Sequence, residues 1–312
     1  MKKLVLSSII IIGLGLVLTA IGFALTGGKI MFANVREKDY SKQAVSGNEL
    51  FEKLEVSFNV RDIILELSED ESYKIEYYEA DYDKVNVNIV NNTLKISGER
   101  ERYRFFNWPI TSSDIFKVKI YIPLSFNGSV SIVGSTGKVE IKPIPELDDL
   151  YIKLSTGKVI ITNLKANDIV LKTSTGSVDV NYLEAVTLNI TVSTGSIILN
   201  NSKITNITYL YSSTGTIKVN NLETLQINSN SSTGRTTMED IIVDDLDVTT
   251  STGTITIKII GKHEDYKIDC RVSTGSIRFQ GEKYGTTLIS LLGSKSVKAR
   301  SSTGSVNLDI DE

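Results

Sequence analysis

Hydroxyl side chains recur through this 312-residue chain at a fixed spacing, in nine Ser-Thr-Gly triplets between Ser135 and Gly304. A serine does nucleophilic chemistry only when a positioned base takes its proton. The single histidine, His263, lies in a Gly-Lys-His-Glu-Asp stretch, so a Ser-His-Asp arrangement would rest on that residue alone. The single cysteine, Cys270, shares the inward parity of Ile268 and Val272 and reads as a small core residue. One cysteine makes no disulfide framework and no cysteine metal site within the chain. Asp244, Asp245 and Asp247 read as a solvated corner. A calcium-binding β-roll needs a nonapeptide with aspartate in every turn, which is absent here. The sequence contains no Gly-rich phosphate loop and no EF-hand. It therefore assigns no catalytic residue, no metal ligand and no cofactor.

The triplets are instead positioning elements. Their glycines are Gly137, Gly157, Gly176, Gly195, Gly215, Gly234, Gly253, Gly275 and Gly304, separated by 20, 19, 19, 20, 19, 19, 22 and 29 residues. A period near 20 marks a repeat array. Two residues after each glycine stands Val or Ile, except at Thr236, and four after it the residue is always apolar. This alternation, rich in β-branched residues, is a strand with one buried face. The same period of two precedes the triplet, as in Val186–Val192. Each repeat is thus strand, Ser-Thr-Gly corner, strand, and a second corner often carrying Asn. Glycine suits a tight corner because it tolerates positive φ.

Like residues at equivalent positions point to coils stacked in parallel. The prediction is an all-β parallel β-solenoid (a β-helix) of 19–20-residue coils. A hairpin meander would favour Asn-Gly or Asp-Gly turns. A membrane barrel needs strands of about 9–11 residues, longer than these. A propeller blade needs roughly 40 residues.

The N-terminus reads differently. Met1-Lys2-Lys3 precedes 25 uncharged residues, Leu4 to Gly28. As a helix they would reach about 37 Å, enough to cross a bilayer with tilt. The run exceeds the ~7–15 apolar residues of a cleaved signal and lacks a clean A-x-A site, so an uncleaved single-pass anchor is expected. Positive charges nearly balance across it (Lys2 and Lys3 against Lys29, Arg36 and Lys38), so charge does not set its orientation. The expected layout is a transmembrane segment at 1–28, a tether at 29–49, an irregular N-terminal cap and first coils at 50–130, and the triplet solenoid at 131–312. Short strands are expected at Leu54–Val60, Ile63–Leu67, Tyr73–Tyr78, Val85–Val90 and Thr93–Ser97, capping an edge that would otherwise template aggregation.

Arg102, Arg104, Phe105, Phe106 and Trp108 concentrate basic and aromatic side chains in one stretch. Such residues dominate contact hot spots, so they are the candidate contact loop, the other reading being a loop folded over the cap. The long gap after Gly275 holds an insertion near 284–296, read as a bulged loop or short helix. A net charge of −3 offers no case for nucleic acid.

The repeated Ser-Thr-Gly-[Lys/Ser/Thr]-[Val/Ile]-x-[Val/Ile/Leu] unit and the preceding Phe116-Lys-Val-Lys-Ile-Tyr-Ile-Pro123 resemble the bacterial putative-adhesin family. That is a domain of unknown function with β-strand repeats, which includes LiaG-like envelope proteins. The resemblance runs from about Leu50 to the C-terminus. It implies a β-solenoid in the cell envelope and favours an inside N-terminus with an outside solenoid, and the family has no established catalytic residues to carry over. Three functions follow for comparison. The first is a membrane-anchored, non-enzymatic binding or scaffold module meeting wall polymer, a host surface or a membrane protein. The second is an envelope-stress or signalling accessory acting through a membrane partner. The third, a polysaccharide-acting enzyme, lacks the clustered acidic and basic residues it would need. Ice-binding solenoids display Thr-x-Thr on a flat strand face, whereas the threonine here sits at a corner.

Overall fold

The structure is a computed structural model that describes residues 39–100 and 114–311. The expected anchor and the Arg102–Trp108 stretch lie outside the described residues. Among the described residues no helix is long and apolar enough to cross a membrane.

The described chain is all-β. Its strands are β1 (Ser41–Gly47), β2 (Lys53–Val60), β3 (Asp62–Leu67), β4 (Tyr73–Glu79), β5 (Asp83–Val90), β6 (Thr93–Arg100), β7 (Lys117–Ile122) and β8 (Ser129–Ile141). There follow the long extended run β9 (Ile144–Thr252), then β10 (Ile255–Ile260), β11 (Tyr266–Thr274), β12 (Ile277–Phe279), β13 (Glu282–Tyr284), β14 (Thr287–Ser290), β15 (Lys295–Thr303) and β16 (Val306–Asp311). All belong to one sheet that winds on itself.

One coil shows the construction. Ile169, Leu171 and Thr173 point inward, then Val178 and Val180, then Leu183 and Ala185. The alternation slips at three places, at Ser174–Ser177, at Asn181-Tyr182 and at Val186-Thr187. A strand that keeps its inward set on one interior must turn where the period of two breaks. Each coil therefore has three faces and three corners around one continuous apolar interior.

Coil stacks on coil in parallel and in register, with Val130 opposite Leu150, Gly137 opposite Gly157 and Ile141 opposite Ile161. The triplet glycines all have φ between 138° and 149° and form one axial column. A Cβ added to Gly195 would lie 1.6 Å from the carbonyl oxygen of Gly176 beneath it. Glycine is thus needed twice at each position, for positive φ and for the close approach of the coil below.

The column is not in chain order at its end. Gly304 sits over Gly253, and Gly275 sits over Gly304. β15 pairs with both β9 and β11, and β16 with both β10 and β12. The last coil in sequence is therefore inserted beneath the preceding one. The 284–296 insertion is not a bulged loop or a helix. β13 and β14 turn back antiparallel onto β12 and β11 and cover the open parallel edge of the outermost coil.

The N-terminal end is arranged similarly. β2 and β3 lie next to β8, and β6 and β7 stack outside them in parallel. β4 and β5 then close the end antiparallel. β1 pairs antiparallel with β4, so residues 41–47 of the expected tether are a strand. Its polar sequence gives no strand signal of its own, because the pairing comes from the long-range edge that β4 offers. Antiparallel end strands remove the bare parallel edge to which another chain could add.

The interior is not uniformly apolar. Thr208, Ser212, Ser229, Ser231, Thr236 and Thr250 are buried, and their hydroxyls have no hydrogen-bond partner among the described residues. Thr236 occupies the inward position that is Val or Ile in the other repeats. Thr236→Val keeps the shape and removes the orphaned hydroxyl, so it raises stability by about 1 kcal/mol in chemical denaturation. Gly195→Ala in the same assay costs at least ~3 kcal/mol, while Ser193→Ala, at an exposed position beside it, stays within ~0.5 kcal/mol.

Candidate functional site

In the five successive repeats from Gly157 to Gly234 the chain turns its second corner six residues after the glycine, with a left-handed backbone. The occupants are Asn163 (φ 53°), Tyr182 (57°), Asn201 (49°), Asn221 (54°) and Asp240 (53°). Asn and Asp enter this region readily because their short side chains bond locally, whereas a bulky residue there is strained. Tyr182 is the one aromatic in the series, and it is more than half exposed, at 56%.

The asparagines form an axial ladder around it. Asn221 Nδ2 donates to Asn201 Oδ1 at 3.0 Å, and Asn201 Nδ2 donates to Asn181 Oδ1 at 3.0 Å. Asn181 is the neighbour of Tyr182, so the ladder steps around the tyrosine. Just inside, the Leu183 N–H donates to Ser202 Oγ at 3.3 Å, and the same hydroxyl donates to the Asn200 carbonyl at 2.8 Å. Ser202 is thus engaged on both sides and buried, which removes it as a nucleophile.

Two residues beyond the corner stand Lys165, Glu184, Lys203, Glu223 and Ile242 in successive coils. These, with Asn163, Tyr182, Asn201 and Asn221, line an open groove of about 400 Å³ running along the solenoid axis. Coils stack at about 4.8 Å, so the four steps from Lys165 to Ile242 span about 19 Å. The charges alternate in sign. Lys203 pairs with Glu223 at 2.7 Å, and Lys165 pairs with Glu146 at 2.9 Å. The Glu146 carboxylate holds the Lys165 ammonium above its ordinary pKa.

A second polar centre lies at the N-terminal end and is structural. Arg61 and Asp83 are each 5% exposed and pair at 3.0 Å. Arg61 Nη1 also donates to the carbonyls of Tyr78 and Ile115, and Tyr40 Oη donates to Asp83 at 2.8 Å. The guanidinium packs on the Phe116 ring at 5.9 Å. Every charge here has a partner, the condition under which a buried ion pair is tolerated.

The other residues that could do chemistry are spread apart. His263 is exposed and beside Glu264. Asp244 pairs with Lys295 at 3.0 Å, Asp245 accepts from Ser296, and Asp247 lies 3.8 Å from Arg300. These carboxylates are met by the inserted last coil, not by solvent alone. The nine triplet glycines form the structural column described above. The sequence reading missed Tyr182, although aligning the repeats from Gly157 to Gly234 exposes it as the aromatic among Asn163, Asn201, Asn221 and Asp240.

The geometry is that of a long repeat solenoid with capped ends, and the Toastrack DUF4097 family profile matches residues 51–309. The chain belongs to the Toastrack DUF4097 family. No curated protein matches it. Among solved structures, a putative lipid binding protein from Parabacteroides distasonis is similar to this Toastrack chain at 15% identity, over 87% of this chain and 97% of that one, with a TM-score of 0.54. A putative adhesin from Bacteroides fragilis is 18% identical over 86% and 97%, with a TM-score of 0.45. Another from Parabacteroides merdae is 14% identical over 88% and 97%, with a TM-score of 0.44. The first likeness is one of fold.

Cys270 is fully buried in the Toastrack interior, and burial pushes its thiol up to about 12. In the unfolded chain a thiol titrates near ~8.5. The native state therefore holds a proton that the unfolded state releases between these values, and Cys270 contributes stability that is lost as pH rises through that window. Iodoacetamide at pH 8.5 is expected to leave the native protein unmodified and to alkylate it fully in guanidinium. Rapid native alkylation would contradict the buried placement.

Proposed function

We propose that this Toastrack protein is a membrane-anchored, non-enzymatic binding module whose solenoid stands on the extracytoplasmic side of the cell membrane. The observation that carries the reading is the groove at Tyr182. It joins an exposed, strained aromatic to a ladder of side-chain amides and to ion pairs of balanced charge. A reaction centre needs a nucleophile, a base that orients it and donors for developing charge. The groove offers instead an aromatic platform and convergent polar groups, which is recognition chemistry.

The uncharged Leu4–Gly28 segment supports the anchor, and its length favours retention over cleavage. The Arg102–Trp108 stretch is a second contact region under this reading.

Pull-down by residues 30–312 against isolated wall polymer, whole cells and solubilised membrane tests the function. Saturable capture of wall polymer or cell surface is expected. The Arg102→Ala/Arg104→Ala/Trp108→Ala triple variant is expected to weaken it while the variant stays folded. Capture of one membrane protein and of nothing else would overturn the reading in favour of a signalling accessory.

A further inference from the structure

We propose that the Tyr182 groove binds a linear, electrically neutral polysaccharide laid along the solenoid axis. This deepens the binding-module reading and rests on it.

The first argument is periodicity. Equivalent side chains repeat along the groove at the coil spacing of about 4.8 Å. A surface that presents one amide per coil suits a polymer that presents one similar unit per step. Extended β-linked sugar chains advance by a comparable distance per residue, so one sugar can sit over each coil.

The second argument is chemistry. Sugar rings carry hydroxyls that both donate and accept, and C–H-rich faces. Primary amides such as those of Asn163, Asn201 and Asn221 also offer both roles. The exposed ring of Tyr182 presents a negative π face, to which the weakly positive C–H bonds of a sugar are complementary. The groove holds two lysines, Lys165 and Lys203, against two glutamates, Glu184 and Glu223. Glu146 stands beside Lys165 and pairs with it, so carboxylates outnumber the lysines here and both lysines are already engaged. A phosphate-bearing or otherwise polyanionic chain would need unpaired cations in register, which the groove does not supply.

The third argument is strain. Of the five non-glycine residues that are left-handed six positions after a triplet glycine, four are Asn or Asp, for which such a backbone is cheap. Tyr182 is the fifth, and it carries the strain while remaining more than half exposed. Strained residues persist at functional sites because the function requires them. A peptide ligand is disfavoured. Strand addition needs a free sheet edge, and the groove lies on the side of the solenoid, where neighbouring coils already pair.

The test uses the full-length protein in detergent micelles, titrated with chitohexaose and cellohexaose by calorimetry. Hyaluronan and a mixed Ala-Lys-Glu decapeptide serve as comparison ligands. Saturable binding of at least one neutral hexasaccharide, insensitive to salt, is expected. Tyr182→Asn should weaken it about tenfold, and Tyr182→Phe, which keeps the ring, should leave it close to wild type. Tyr182→Asn also relieves the corner, so its melting temperature should rise, which separates lost recognition from misfolding.

Absence of binding to both hexasaccharides would overturn the proposal. So would binding unchanged in Tyr182→Asn, or preference for hyaluronan or the peptide. The wall pull-down separates the two levels. Wall capture that survives Tyr182→Asn leaves the binding module standing and removes the groove, whereas wild-type protein that captures nothing removes both.

Discussion

The close approach of backbone to backbone along the glycine column is the constraint on which the rest of the fold depends. At each Ser-Thr-Gly corner a carbonyl of one coil lies where the Cβ of the next would be. That contact fixes the axial register of every coil, since a slip by one residue would drive a side chain into the carbonyl and turn the inward set outward. With the corners locked, each face follows, because the residues between corners have only one parity that keeps Val, Ile and Leu inside. A single coil cannot bury its own apolar side chains. The array is stable only as a stack, and so its ends are special.

Both ends meet the same difficulty in the same way. A parallel stack terminates in an open edge, and each end covers it with antiparallel strands: β4, β5 and β1 on one side, β13 and β14 on the other. Chain order is broken at both ends: β15 and β16 lie between coils formed from earlier residues, and β2 and β3 lie between β8 and the coil of β6 and β7, both formed from later ones. The buried Arg61–Asp83 pair belongs to this closure. It ties the first coil to the cap and to the chain around Ile115 and Phe116, where apolar packing alone would leave polar carbonyls without partners.

Against this regularity the informative positions are the departures. The orphaned hydroxyls from Thr208 to Thr250 break the apolar rule inside, and Tyr182 breaks the Asn rule outside. The internal hydroxyls are buried without partners among the described residues, which lowers stability locally. Tyr182 differs because its ring faces an open groove lined by paired ions and amides. An aromatic that sits at a strained corner and stays more than half exposed fits the recognition role proposed for this groove.

Much of the architecture was legible in the chain. The period near 20, the Val or Ile two residues after each glycine, and the inward parity of Cys270 are local patterns, and local patterns survive translation into strands. The repeat also carried the resemblance that the family match bears out. The expected anchor and the Arg-aromatic stretch are readings from composition, and they lie outside the described residues.

What the sequence determined by itself is the coil: its length, its corners and its inward faces, all set by backbone freedom at glycine and by the parity of apolar residues. The order of the last two coils, the conversion of the 284–296 insertion into edge strands, the recruitment of residues 41–47 and the groove at Tyr182 were decided by the tertiary structure. Each of these depends on which distant edge or coil is adjacent, and adjacency between residues tens of positions apart leaves no mark in the local pattern that either of them carries.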